Sequence, residues 1–330
     1  MHRHKTLLAL LALFALGTAP LAALAQPAQK IPVVGFMHPA GPTAPTVVLA
    51  TTLIRDGLRE LGFVEGKNYT IESRFALGKP DALPGLAQEL VRAKVDVLLP
   101  IGPAAVMAAK IAAGNLPIVA MDLETNPIAS GLIANFARPG GNLTGVFLDL
   151  PALTGKWLQL IREIIPGARR IAVLWDANTG ESQIRAIKAA AKEMSLDVQI
   201  LEFRGAAAIE PALNAALKQR PQALVLLGSP LINGASKSIA EFTAKHRIPA
   251  ISPFRSFPDN GGLISYGVNL PILYGRMGSY VGRVLRGAKP GELAVEQPSH
   301  YEMVINQKTA KALGITFPQM VLLRGDETVQ

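Results

Sequence analysis

Cysteine is absent from all 330 residues. That excludes disulfide frameworks, zinc ribbons, iron–sulfur clusters, thiol nucleophiles and the lipidated N-terminal cysteine of a bacterial lipoprotein. Aromatic residues make up only 5% and charged residues 17%, so the chain has neither the stacking residues of a nucleic-acid surface nor the high charge of a disordered segment. Histidine is scarce too: beyond His2 and His4 there are only His38, His246 and His300, without metal-ligand spacing. Catalytic signatures are also missing. No G-x-G-x-x-G follows a strand, "GFVEGKN" and "TGKW" lack the Walker spacing, and there is no G-x-S-x-G elbow. No cofactor and no metal are expected.

What the chain does have is apolar surface: 49% of its residues are hydrophobic, enough for a sizeable core, and its length suggests about two domains. His2, Arg3, His4 and Lys5 form a basic start, Leu7 to Leu16 an apolar stretch, Pro20 a break and Ala23-Leu24-Ala25 a small-x-small site. This is the layout of a secretory signal peptide over residues 1–25, and the expected location is the periplasm. Cleavage after Ala25 removes two cations, Arg3 and Lys5, and takes the net charge from +9 to +7. The remaining basic residues are scattered, which reads as a solvated surface and not as a nucleic-acid footprint. No later run reaches 18 apolar residues free of charges and breakers.

The rest of the chain repeats itself. Short β-branched runs begin at Ile31, Tyr69, Val95 and Pro117, and again at Arg170, Asp197, Gln222 and Ile248. Between them lie helical periodicities such as Leu49 to Leu61, Leu83 to Ala93, Ala104 to Ala113, Ser182 to Met194, Ile209 to Gln219 and Ser236 to Lys245. Alternation of this kind builds parallel sheets from right-handed βαβ units, and continuously apolar strands are covered by helices on both faces. The expected fold is α/β, with two doubly wound parallel-sheet lobes. A further strand "GLISYGV" from Gly262, a helix from about Tyr274 to Leu285, an extended stretch from Ala294 to Asn306 and a "KTAKALG" helix follow. The economical arrangement has the chain cross more than once: residues 26–147 with about 262–288 form lobe 1, and residues 148–261 with about 289–330 form lobe 2. Gly140-Gly141 and Gly261-Gly262 are hinge candidates.

Ligands of open α/β sheets bind outside the carboxyl ends of the strands. The third strand of each lobe leads into a matching feature, Gly102-Pro103 and Ser229-Pro230. Proline at a first helical position leaves the next amides free to face a ligand oxygen. Other strand-end candidates are His38, Thr43, Asp122, Asn126, Asn178, Thr179, Phe254, Arg255, Tyr266 and Asn269. The polar ones can hydrogen-bond a ligand, and Phe254 and Tyr266 can cover a planar one.

The tail "GAKPGELAVEQPSHYEMVINQKTAKALGITFP", Gly287 to Pro318, resembles the end of the ABC-transporter substrate-binding proteins of the TrpX-like family, which have the type I periplasmic-binding fold. "NPIASGLIANFARPGGNLTGV" from Asn126 and "NGGLISYGVN" from Asn260 resemble that family's inter-lobe segments. The resemblance implies two lobes joined by three crossings and closing on a small solute. That solute, an amino acid or a similar small polar or aromatic compound, passes to an inner-membrane ABC permease driven by a cytoplasmic ATPase. It maps the family's ligand loops onto His38 to Thr43, Gly102-Pro103, Asn126, Asn178-Thr179, Ser229-Pro230, Phe254 and Tyr266. "MHPAGPTAP" and "SPLINGAS" carry no ligand-specific pattern. A monomer without catalytic residues is expected. Two alternatives remain at this point: a secreted α/β enzyme using Asp122 or Asp176 in the cleft, and a ligand-sensing subunit of a membrane receptor.

Overall fold

A computed structural model describes residues 30–122 and 127–329; the expected leader, residues 1–25, lies outside them. Twelve strands form two sheets among the described residues. The first sheet holds β1 (Val33–His38), β2 (Thr70–Phe75), β3 (Val97–Pro100), β4 (Ile118–Asp122) and β5 (Leu143–Phe147), in the order β2-β1-β3-β4-β5 and parallel throughout. The second holds β6 (Arg170–Asp176), β7 (Asp197–Phe203), β8 (Ala223–Leu226), β9 (Ala250–Ser252), β10 (Ile264–Val268), β11 (Tyr301–Asn306) and β12 (Glu327–Val329), in the order β12-β11-β10-β9-β8-β6-β7. Only the β10–β11 pair is antiparallel. β3 and β8 are buried along their whole length, the consequence of helices on both faces.

The helices are α1 (Pro45–Glu60), α2 (Leu83–Arg92), α3 (Pro103–Ala113), α4 (Leu150–Ile164), α5 (Ser182–Glu193), α6 (Ile209–Ala216), α7 (Pro230–Gly234), α8 (Ser236–Lys245), α9 (Ser256–Asp259), α10 (Leu270–Leu285), α11 (Gln307–Leu313) and α12 (Gln319–Leu322). Pro45, Pro103 and Pro230 each fill the first position of a helix, where the missing N–H costs nothing and φ is already set. None of the described helices is long and apolar enough to cross a membrane.

The expected third crossing needs correction. "GLISYGV" does not rejoin the first sheet: β10 pairs with β9, Ile264 opposite Ile251, and with β11 in the second sheet. Only residues 260–263 separate α9 from β10, a link too short to leave the sheet. The helix that follows does change sides. α10 packs on α1 so closely that a Cβ on Gly278 would lie 2.2 Å from the Ile54 carbonyl oxygen, and one on Gly57 2.0 Å from that of Gly275. Nor does the tail return to the second lobe at about 289. The Thr144 hydroxyl donates to the Leu293 carbonyl at 2.8 Å. The N–H of Phe147 donates to the Glu296 carbonyl at 2.8 Å and that of Glu296 to Gly145 at 2.9 Å, so Leu293–Glu296 extends the β5 edge before the chain enters β11. The crossings therefore lie at Leu148–Asp149, at Asn269 and at residues 297–300. Gly140-Gly141 and Gly261-Gly262 sit instead in turns leading into β5 and β10.

Candidate ligand-binding cleft

The carboxyl ends of the parallel strands in both sheets meet across one seam. There Gly78 offers its carbonyl to the N–H of Ala206 at 3.0 Å, a direct lobe-to-lobe hydrogen bond. Gly102 faces Pro230, and a Cβ on it would stand 2.7 Å from Pro230 Cγ. Its φ of +86° is a second reason for glycine at this position. The lobes are thus closed on each other.

On the second-lobe side the loops are fastened by their own side chains. Asp176, buried at the end of β6, accepts hydrogen bonds on Oδ1 from the backbone N–H of Asn178 at 3.1 Å and from its side-chain amide at 2.9 Å. Its Oδ2 accepts from the Ser229 hydroxyl at 2.7 Å. Ser229 Oγ in turn accepts from the N–H of Leu231 at 3.1 Å, and Thr179 Oγ1 donates to the Asp176 carbonyl at 2.7 Å. Gln183 grips Gly228 at both ends, donating to its carbonyl at 3.0 Å and accepting its N–H at 2.9 Å. A carboxylate held this way positions the two loops that it bonds.

On the first-lobe side His38, 2% exposed, accepts the N–H of Ala40 on Nδ1 at 3.0 Å and lies 6.1 Å from the Phe36 ring. Burial holds its pKa down at about 3, so it is neutral at any ordinary pH. Thr46, on the first turn of α1, has a buried hydroxyl with no hydrogen-bond partner among the described residues.

Two cavities open along the seam. The smaller, about 10 Å³, gathers Gly102, Pro103, Asn178, Thr179 and Pro230 with Asp176, room for one water molecule. The larger is about 130 Å³. Thr46, Leu49, Leu270, Pro271 and Tyr274 form one side of it, and Asn233, Phe254, Arg255, Ser256, Asp259 and Val268 the other. Arg255 is bound by Asp259 at 3.2 Å and Glu327 at 3.1 Å, contacts that raise its already high pKa. The Ser256 hydroxyl donates to Asn233 Oδ1.

The sequence-derived candidates therefore divide. Gly102, Pro103, Asn178, Thr179 and Pro230 come together at the smaller cavity, and Phe254 and Arg255 line the larger. His38 and Ser229 lie buried behind these walls. Thr43 is exposed, outside both cavities. Tyr266 lines neither: its carbonyl accepts the Trp157 indole N–H at 2.7 Å and its ring tilts against Tyr301. Asn269 caps α10, accepting the Ile272 N–H at 3.1 Å and donating to Glu302 at 2.9 Å. Asp122 ends β4; Asn126 lies outside the described residues. Sequence reasoning missed Thr46, Leu49, Asn233, Ser256 and Tyr274. Tyr274 reads as one more apolar residue on the inner stripe of α10, and only the packing of α10 on α1 brings it to the seam.

Residues 43–329 match the model of the family described as ABC transporter substrate binding protein. The chain belongs to that family. Its members are ligand-binding proteins that serve ABC transporters. A tyrosine-binding protein of Clostridioides difficile (strain R20291) is 25% identical over 260 residues, 78% of this chain and 74% of that protein. Among solved structures, a conserved domain protein from Vibrio cholerae superposes with a TM-score of 0.82 at 24% identity, covering 91% of this chain and 100% of that one. A Streptococcus pneumonia ABC domain in complex with L-Trp superposes at 0.80 and 24% identity, covering 90% and 99%. The family's two-lobed α/β fold is the fold of this substrate-binding protein.

Proposed function

We propose that this substrate-binding protein is exported to the periplasm, where it acts as a monomer. It captures a small aromatic solute, an amino acid or a simple aromatic acid, between its lobes and hands the closed complex to an ABC permease, without chemical change to the solute. The observation that carries the reading is the 130 Å³ cavity walled by Leu49, Leu270 and Tyr274 from one side and Phe254, Asn233 and Arg255 from the other. A solute held by both walls favours closure by its differential affinity for the closed arrangement. Relatives described as binding tyrosine and L-Trp support the aromatic class, and so does a solute-binding protein from R. palustris in complex with benzoate, TM-score 0.55 and 15% identity. Gly102, Pro103, Asn178, Thr179 and Pro230 are proposed to border the same ligand from the adjoining part of the seam.

The test is a thermal-shift screen of protein unfolded and refolded to strip any carried ligand. L-tyrosine, L-tryptophan, L-phenylalanine and benzoate are compared with sugars, nucleosides and aliphatic amino acids. A ligand at about 100 times its Kd adds roughly 2.7 kcal/mol, several degrees in a chain of this size. A shift confined to aromatic compounds, each recovered unchanged, supports the reading; a shift confined to another class removes the aromatic assignment, and turnover removes the binding-only one.

A further inference from the structure

Resting on the reading that the cleft takes an aromatic solute, we infer that the larger cavity is a subsite for a single six-membered ring bearing a hydroxyl. Asn233 and Tyr274 select for that hydroxyl.

Size comes first. The cavity measures about 130 Å³, and an apolar cavity of about 150 Å³ binds benzene. One six-membered ring fills a space of this kind. Leu49, Phe254, Leu270 and Val268 supply apolar walls for the faces of such a ring.

Polarity comes next. Tyr274, 4% exposed, lines the cavity, and its hydroxyl makes no hydrogen bond among the described residues. Burial alone moves its pKa, upward, so the phenol stays protonated and keeps both a donor and an acceptor site. Asn233, 7% exposed, has its Oδ1 engaged by the Ser256 hydroxyl, while its Nδ2 has no acceptor among the described residues. With Thr46, whose buried hydroxyl is also unpartnered among the described residues, three neutral polar side chains with unmade hydrogen bonds line one small, mostly apolar cavity. A ligand that leaves them unpaired there binds weakly. A hydroxyl on the ring answers Asn233 and Tyr274, accepting from the first and exchanging a hydrogen bond with the second. An unsubstituted ring answers neither.

Charge narrows the class further. Arg255 is already bound by Asp259 and Glu327, one cation between two anions, so no spare positive charge is offered to a carboxylate at this end. The ring therefore enters by its neutral end, and the ionised group of the solute lies outside this cavity.

Isothermal titration of the full chain, stripped of carried ligand, against two matched pairs tests this: L-tyrosine with L-phenylalanine, and 4-hydroxybenzoate with benzoate. The hydroxylated member of whichever pair binds is expected to bind at least tenfold more tightly. In Tyr274→Phe that preference is expected to shrink at least threefold through weaker binding of the hydroxylated member, with circular dichroism confirming the fold. Asn233→Leu provides an independent check of the second contact. Equal affinity within each pair in the unaltered protein overturns the subsite while leaving the proposed function standing. So does an undiminished preference in both variants. Absence of binding by all four compounds, alongside binding of another solute class, overturns both together.

Discussion

A histidine at the end of β1 looks like a ligand group from the sequence and behaves as a buttress in the fold. His38 is buried with its Nδ1 on the Ala40 N–H, and burial depresses its pKa from 6.5 to about 3. As pH falls below about 6.5 the unfolded chain takes up a proton here that the folded chain refuses. Stability is therefore fully present above that pH. It declines by up to about 1.4 kcal/mol per pH unit as the folded pKa is approached. His38→Asn, whose carbonyl can still accept the Ala40 N–H in an Asx turn, is expected to remove about one proton from that acid slope. Denaturant unfolding at a series of pH values between 7 and 4 reads the difference. An unchanged slope means that His38 is not the group refusing the proton. The same residue marks a limit of sequence reading. A polar side chain at a strand end can face the cleft or the core, and for His38, Ser229 and Asp176 the choice is made by partners 2 to 53 residues away.

At the scale of elements the strongest constraint is the seam between α1 and α10. Hydrogen-sized side chains at Gly57 and Gly278 let the two backbones come within contact distance. Gly278→Ala places a methyl group against the Ile54 carbonyl, where neither backbone can give way without moving its helix. The expected cost is at least about 1–3 kcal/mol, read as a lower denaturant midpoint with an unchanged m-value. Full stability in the variant would falsify the close approach. Most elements were legible because local chemistry decides them: β3 and β8 are continuous apolar runs, and Pro45, Pro103 and Pro230 announce their helices. α4 carries the fully buried Trp157 but was not singled out, and β5 is a five-residue strand known only as part of a resembling segment. The slot of β10 was misjudged because sheet order is a property of pairing and link length, and periodicity carries no trace of either. Tyr274 and Asn233 were illegible for a related reason, since each meets the cavity only after helices distant in sequence have packed.

For the whole molecule the question is what holds the lobes shut. The Ala206 N–H to Gly78 carbonyl hydrogen bond joins them at the rim, away from the larger cavity. Ala206→Pro deletes that donor and sets ring carbons against the Gly78 oxygen. With a typical hydrogen bond contributing about 1 kcal/mol, the closed fraction falls and apparent affinity weakens about fivefold. X-ray scattering of the ligand-free variant should give a larger radius of gyration, and saturating ligand should restore the compact value. An unaltered radius together with unaltered affinity shows that closure does not depend on this contact.

The three crossings also set an order of events during synthesis. All five strands of the first sheet are complete at Phe147, yet the helix that covers α1 spans Leu270–Leu285 and the strip that extends β5 spans Leu293–Glu296. At about 5–20 residues per second, a ribosome needs on the order of ten seconds or more to supply them. Throughout that interval the first lobe presents an unpaired β5 edge and the bare face of α1, and it cannot reach its native state. An N-terminal fragment ending between the lobes is therefore an incomplete fold and not a domain. The delay leaves the leading half of the chain without its native packing until the trailing half has been made.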